Sequence, residues 1–193
     1  DDRFWQLGDR YGGGVPVRPS PALEEGGTQI VLNAPLAEAI GAAVGDPAPA
    51  FSLMDQNGNT QSLEQYRGQW VAVYFYPKDD TPGCTIEAND FTALVDQFAG
   101  LDTVILGVSK DDCDSHRRFI DKFGLKIQLL ADTDGSLCDA YGVWQEKEKN
   151  GVKKMGIVRS TFIIDKQGQL ADVEYGVTAQ GHAEQVLDKI RQL

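Results

Sequence analysis

The sequence predicts an α/β fold built on a central mixed sheet flanked by helices. Two apolar runs, residues 70–76 (Trp-Val-Ala-Val-Tyr-Phe-Tyr) and 103–109 (Thr-Val-Ile-Leu-Gly-Val-Ser), read as central strands buried on both faces. Between them a helical pattern opens at Cys84 and continues to about Phe98, with Phe91, Leu94, Val95 and Phe98 on one face. Strand, helix and strand in that order make a crossover with the two strands parallel. Near the C-terminus, residues 157–165 and 170–175 flank the turn Lys166-Gln167-Gly168-Gln169 and read as an antiparallel hairpin, which makes the sheet mixed.

The remaining elements follow in chain order. Residues 1–44 are punctuated by Gly12-Gly13-Gly14, Pro16, Pro19, Pro21 and Gly26-Gly27, so they read as an N-terminal extension, flexible or partly docked. Within it, residues 28–32 could form a short strand and 34–44 a short helix with Pro35 in its first turn. Phe4, Trp5 and Tyr11 are aromatics that solvated tails usually lack, which keeps docking open. Residues 45–193 read as one compact domain. Residues 51–55 alternate as a half-buried strand, Asn57-Gly58 supplies a turn, and 60–63 returns as the partner. A short helix over 62–67 stops at Gly68. Beyond the second central strand, residues 111–123 form a helix closed by Gly124, 127–130 a short strand and 134–141 a short helix. Residues 145–155 read as a polar, lysine-rich connection, and 179–193 as a last helix with Ala183, Val186, Leu187 and Ile190 on one face.

Composition excludes several function classes. A chain of 193 residues with a formal charge of −11 lacks the basic face that nucleic acid requires. No stretch reaches the roughly 18 apolar residues of a membrane span. Three cysteines, Cys84, Cys113 and Cys138, are too few and odd in number for a disulfide framework, and without a CxxC pair the usual dithiol and zinc motifs are missing. His116 and His182 are isolated, so a cap or surface role is expected of each and no metal site is expected. A cytoplasmic location is the expectation, although the chain begins at Asp1 without methionine.

The chemistry concentrates where the first central strand meets its helix, at Phe75-Tyr76-Pro77-Lys78-Asp79-Asp80-Thr81-Pro82-Gly83-Cys84-Thr85. Backbone N–H groups and the positive end of the helix dipole converge at such a corner and favour a reactive thiolate, so Cys84 is the candidate nucleophile. Pro77 and Pro82 restrict the loop that presents it. Thr81 can offer a hydroxyl to the sulfur or to a bound oxygen, and Arg159, on a later strand, can offer a guanidinium fork to developing negative charge. This set suits thiolate attack on an O–O bond, giving a sulfenic acid.

With its hairpin near the C-terminus and its cysteine after the first parallel strand, the order β-β-α-β-α-β-α-β-β-α is thioredoxin-like. Together with Val158-Arg159-Ser160-Thr161-Phe162, the corner resembles the peroxiredoxins. Thr81-Pro82-Gly83-Cys84-Thr85-Ile86-Glu87-Ala88, the Asp114-Ser115-His116 run and Tyr141-Gly142-Val143-Trp144 are similar to the bacterioferritin-comigratory, or Q-type, branch. The resemblance implies Cys84 as peroxidatic cysteine, with Pro77, Thr81 and Arg159 in support and Glu87 orienting Arg159. It implies reduction of hydrogen peroxide or organic hydroperoxides without metal, flavin or other cofactor. Thioredoxin, glutaredoxin or a small thiol would return the enzyme, acting as a monomer or weak homodimer. Many Q-type members carry a resolving cysteine where this chain has Asn89, and another placement falls near Ile120. Both are empty here, which leaves Cys113 as the candidate resolver. Its acidic flanks, Asp111, Asp112 and Asp114, disfavour a thiolate, so a first-turn residue without redox role is the alternative. Cys138 reads as a buried small hydrophobe. Two other readings stand beside the peroxidase. One is a general thiol–disulfide oxidoreductase, disfavoured by the missing CxxC. The other is a non-enzymatic chaperone or interaction module on the same fold.

Overall fold

The computed structural model describes residues 42–193 apart from residue 150. The strand and helix expected over 28–32 and 34–41 lie outside the described residues, and 42–44 are not helical. Among the described residues, no helix is long and apolar enough to cross a membrane.

Seven strands form one sheet in the order β2-β1-β5-β4-β3-β8-β9. Residues 70–76 supply β3 (Trp70–Phe75) at its centre, and β4 (Thr103–Ser109) lies parallel to it, as the crossover requires. Every residue from Val71 to Tyr76 is at most 1% exposed, so the unbroken apolar run does mark a strand covered on both faces. β5 (Gln128–Ala131) extends the parallel set beyond β4. On the other side, β8 (Ser160–Ile164) runs antiparallel to β3 and pairs with β9 (Leu170–Tyr175) as the expected hairpin. β1 (Ser52–Asp55) pairs with β2 (Thr60–Ser62) through the Asn-Gly turn, where the Asp55 carboxylate accepts the amides of Asn57 and Asn59. A short 3-10 helix, Leu63–Tyr66, follows.

Side chains alternating along β3 build two cores. Ala72, Tyr74 and Tyr76 face α1 (Pro82–Ala99), α2 (Cys113–Phe123) and α4 (His182–Gln192) through Phe91, Phe119 and Val186. Val71, Val73 and Phe75 face the opposite way, toward Leu137 and Cys138 of α3 (Ser136–Ala140), Tyr141 and Phe51. One close approach needs glycine: a Cβ at Gly107 would lie 2.7 Å from Leu129 and from the Tyr74 ring, its neighbour across β3 and β4. α2 ends as expected at Gly124, in the left-handed region with φ 65°.

Two expectations fail here. Residues 145–155 are not a connection but a second, two-stranded sheet of β6 (Trp144–Lys149) and β7 (Val152–Ile157). Both of its faces carry charge and much of it is exposed, so no apolar alternation reveals it; the sequence signal it does carry is the Asn150-Gly151 pair, a hairpin turn dipeptide. The strand expected over 157–165 is also broken. Ile157 ends β7, and Val158 and Arg159 turn the chain into the main sheet, with the Val158 amide donating to the Val143 carbonyl at 2.8 Å. Arg159 therefore sits at the junction of two sheets rather than within a strand.

Candidate active site

The corner forms because β3 must end and α1 must begin within a few residues. Pro77 follows the buried strand, and the Pro82 ring supplies the helical φ at the first position of α1, where no N–H is needed. Thr81 takes the extended N-cap conformation, but its side chain does not cap. Its hydroxyl instead donates to the Lys78 carbonyl at 3.0 Å and does not reach the Cys84 sulfur. The first-turn amides are thus left without a side-chain cap, at the positive end of an 18-residue helix. Cys84 occupies the third helical position and is 2% exposed.

Arg159, from the junction of β7 and β8, and Glu87, on α1 itself, pair beside the sulfur. The Arg159 Nη2 donates to Cys84 Sγ at 3.2 Å, while Nη1 pairs with Glu87 Oε2, one turn after the cysteine. The Glu87 side chain is fully buried and its Oε1 has no partner. Burial pushes the Glu87 carboxyl up to about 7, against the pull of Arg159, with Asp90 adding to the rise. Burial works against the guanidinium too, yet Glu87 and Cys84 together hold Arg159 above its ordinary value. For the carboxyl desolvation wins; for the guanidinium two neighbours outweigh it. The arrangement fixes a cation on a buried sulfur.

Residues 44–173 match the model of the AhpC/TSA family. The chain belongs to that family. The putative peroxiredoxin bcp of Helicobacter pylori strain J99 is 43% identical over 147 residues, 76% of this chain and 97% of its own. Peroxiredoxin Bcp of Bacillus subtilis is 41% identical over 150 residues, 78% of this chain and 96% of its own. Among solved structures, the bacterioferritin comigratory protein of Xanthomonas campestris, studied for alkyl peroxide reduction, superposes with a TM-score of 0.73 at 38% identity. That match covers 78% of this chain and 98% of the other. The chain is a peroxiredoxin of the bacterioferritin-comigratory branch, a thiol-dependent peroxidase with a thioredoxin-like fold.

Within this peroxiredoxin the sheet lies between Cys84 and Cys138. Cys138 belongs to the core on the opposite face of the sheet from Cys84 and is fully buried. Burial and the Asp132 carboxylate push its thiol far up. Cys113 is the first residue of α2 and half-buried; all three cysteines are free. Asn89 is exposed on α1 and Ile120 half-buried on α2. The histidines correct the expectation of surface or cap roles, since both are fully buried. His116 Nδ1 lies 2.9 Å from the Asp79 carboxylate and His182 Nε2 lies 2.7 Å from the Thr161 hydroxyl, because the fold supplies polar partners from distant segments.

Sequence reasoning missed Lys147, placed there in a solvated loop. Its amine donates to the Ile157 carbonyl at 2.5 Å, and burial, followed by the charge of Arg159, lowers its pKa, with Cys84 opposing. Lys147, Trp144, Met155, Ile157 and Pro77 line a cleft of about 530 Å³ beside the corner. Only the pairing of β6 with β7 brings that lysine to the site.

Proposed function

We propose that Cys84 is the peroxidatic cysteine of this peroxidase, and that Pro77, Thr81 and Arg159 serve its reaction with hydrogen peroxide and organic hydroperoxides. The observation that carries this reading is the 3.2 Å contact of the Arg159 guanidinium with a buried Sγ at the start of α1. The thiolate attacks the terminal oxygen of the hydroperoxide, an S–O bond forms as the O–O bond breaks, and the leaving oxygen departs as water or alcohol after taking a proton. Arg159 stabilises the charge moving from sulfur to oxygen. The Thr81 hydroxyl, already donating to Lys78, has lone pairs free to accept from the hydroperoxide proton. A cleft of about 530 Å³ offers far more room than hydrogen peroxide needs, which favours organic hydroperoxides among the substrates.

The sulfenic acid then condenses with a thiol, releasing water, and a second thiol frees Cys84 as the disulfide leaves. We assign that reduction to an external thiol of the thioredoxin, glutaredoxin or small-molecule class, with Cys113 as the candidate internal partner. Cys84→Ser should reduce thiol-dependent peroxide consumption to the background rate, while wild-type turnover in that variant would overturn the assignment. The mass of the peroxide-treated chain divides the two routes: a Cys84–Cys113 disulfide makes Cys113 the resolver, and a lone sulfenic acid or mixed disulfide makes the thiol external.

A further inference from the structure

The segment between β3 and α1 carries a buried acid that the reaction described above does not use. Asp79 is 6% exposed, two residues before Thr81 and five before Cys84. Its carboxylate accepts three hydrogen bonds: from the Tyr76 hydroxyl at 2.7 Å, the Ser115 hydroxyl at 2.8 Å and His116 Nδ1 at 2.9 Å. Its amide donates to the Asp111 carboxylate at 2.8 Å. Two of the three carboxylate donors come from α2, so the loop presenting the candidate nucleophile is tied to a different helix.

The next residue shows what the tie holds. Asp80 has φ 56°, in the left-handed region that a non-glycine residue adopts only when its surroundings impose it. Asp79 anchors it on one side, Thr81 begins the N-cap on the other, and the Asp80 carboxylate pairs with Lys122, again from α2. That ion pair is exposed and adds little by itself. The buried carboxylate is the group able to hold the turn.

We infer that Asp79 is a positioning residue for peroxide reduction: locked by Tyr76, Ser115 and His116, it sets the conformation of residues 77–81 and thereby the placement of Thr81 and Arg159's sulfur partner around the incoming O–O bond. This rests on the reading of Cys84 as peroxidatic. Alignment of a nucleophile with its substrate is sensitive to displacements of about 1 Å, which cost on the order of 100-fold in rate. Simple alkylation of the same sulfur needs no such alignment.

The test compares two reactions of one sulfur in the full chain. Asp79→Asn keeps the size but offers one amide oxygen where a carboxylate accepted three donors. The second-order rate of Cys84 oxidation by hydrogen peroxide should fall about 10- to 100-fold. The rate of iodoacetamide alkylation, followed by mass on the Cys84 peptide, should stay within about twofold of wild type. His116→Asn, which keeps a donor at the Nδ1 position, should recover more of the peroxide rate than His116→Leu. Should Asp79→Asn lose cooperative unfolding, Ser115→Ala removes a single donor and carries the same comparison, with a drop of about threefold in the peroxide rate alone. Peroxide and alkylation rates that fall together, or that both stay at wild-type level, overturn the inference. A wild-type Cys84 that consumes peroxide no faster than a free thiol overturns the peroxidatic assignment and this inference with it, whereas a fast wild type matched by Asp79→Asn overturns the anchor alone.

Discussion

Glu87 is the residue where the energetics of this site are easiest to read. A carboxyl with a folded pKa of about 7, against an ordinary 4.5, binds its proton more tightly in the folded chain than in the unfolded one. Its stabilising contribution is therefore fully present below about pH 4.5 and is lost as pH rises through about 7. At about 1.4 kcal/mol per pKa unit, the loss is bounded at about 3.5 kcal/mol. Glu87→Gln should remove that portion of the slope. Denaturant midpoints measured from pH 4 to 8 should then show wild type declining relative to the variant up to about pH 7 and running parallel above it. Parallel curves throughout would mean that the carboxyl titrates in the folded chain as it does in the unfolded one. At this scale the sequence was informative about identity and poor about environment. Cys84, Thr81 and Arg159 stand out in the sequence as candidates because their residue types are rare in that combination, whereas the burial of His116 and His182 depends on partners 37 and 21 positions away.

Among the elements, the pairing of β3 with β4 carries the most demanding packing. Gly107 leaves room for the Tyr74 ring, which stacks on Phe91 of α1 at 4.7 Å and thus links the central strand to the helix that bears Cys84. Gly107→Ala would force a methyl to 2.7 Å from Leu129 and Tyr74, and overpacking of that kind costs about 1–3 kcal/mol. Urea unfolding should register the loss as a lower midpoint at unchanged slope. The strands and helices of the main sheet were legible because each buries a continuous or periodic apolar face. The β6–β7 ribbon was not. Its cross-strand partners include Lys147 with Lys154 and Glu148 with Lys153, a pattern that a solvated loop would share. What sets it apart is the tertiary role of bringing Lys147 and Trp144 beside the corner.

For the whole molecule, the boundary between extension and domain is a question of where burial begins. The sequence placed it after residue 44, where the glycine- and proline-rich texture ends. Ala42 is nevertheless fully buried in the core with Leu170, and the Gly45 amide donates to the Leu170 carbonyl at 2.8 Å. We propose that the compact unit includes Ala42. Deleting residues 1–44 should cost about 1 kcal/mol more stability than deleting residues 1–41, since it uncovers that alanine's pocket. Equal midpoints in thermal or denaturant unfolding would return the boundary to Gly45. The acidic balance of −11 belongs to this scale as well, since it bears on solubility and partners rather than on the fold.

The sequence alone determined the α/β class, the mixed sheet and the strand-to-helix corner that presents Cys84. Those features rest on local periodicity, on prolines that constrain their own backbone, and on residue types with few uses. Only the tertiary structure decided what surrounds the sulfur. Arg159 meets Cys84 across 75 positions because the chain turns from one sheet into another at Val158. Lys147 arrives with a ribbon whose charged residues mask its few apolar ones, and two of the three donors that hold the Asp79 carboxylate come from α2. Each of these depends on which segments become neighbours, a property of packing that no local pattern encodes.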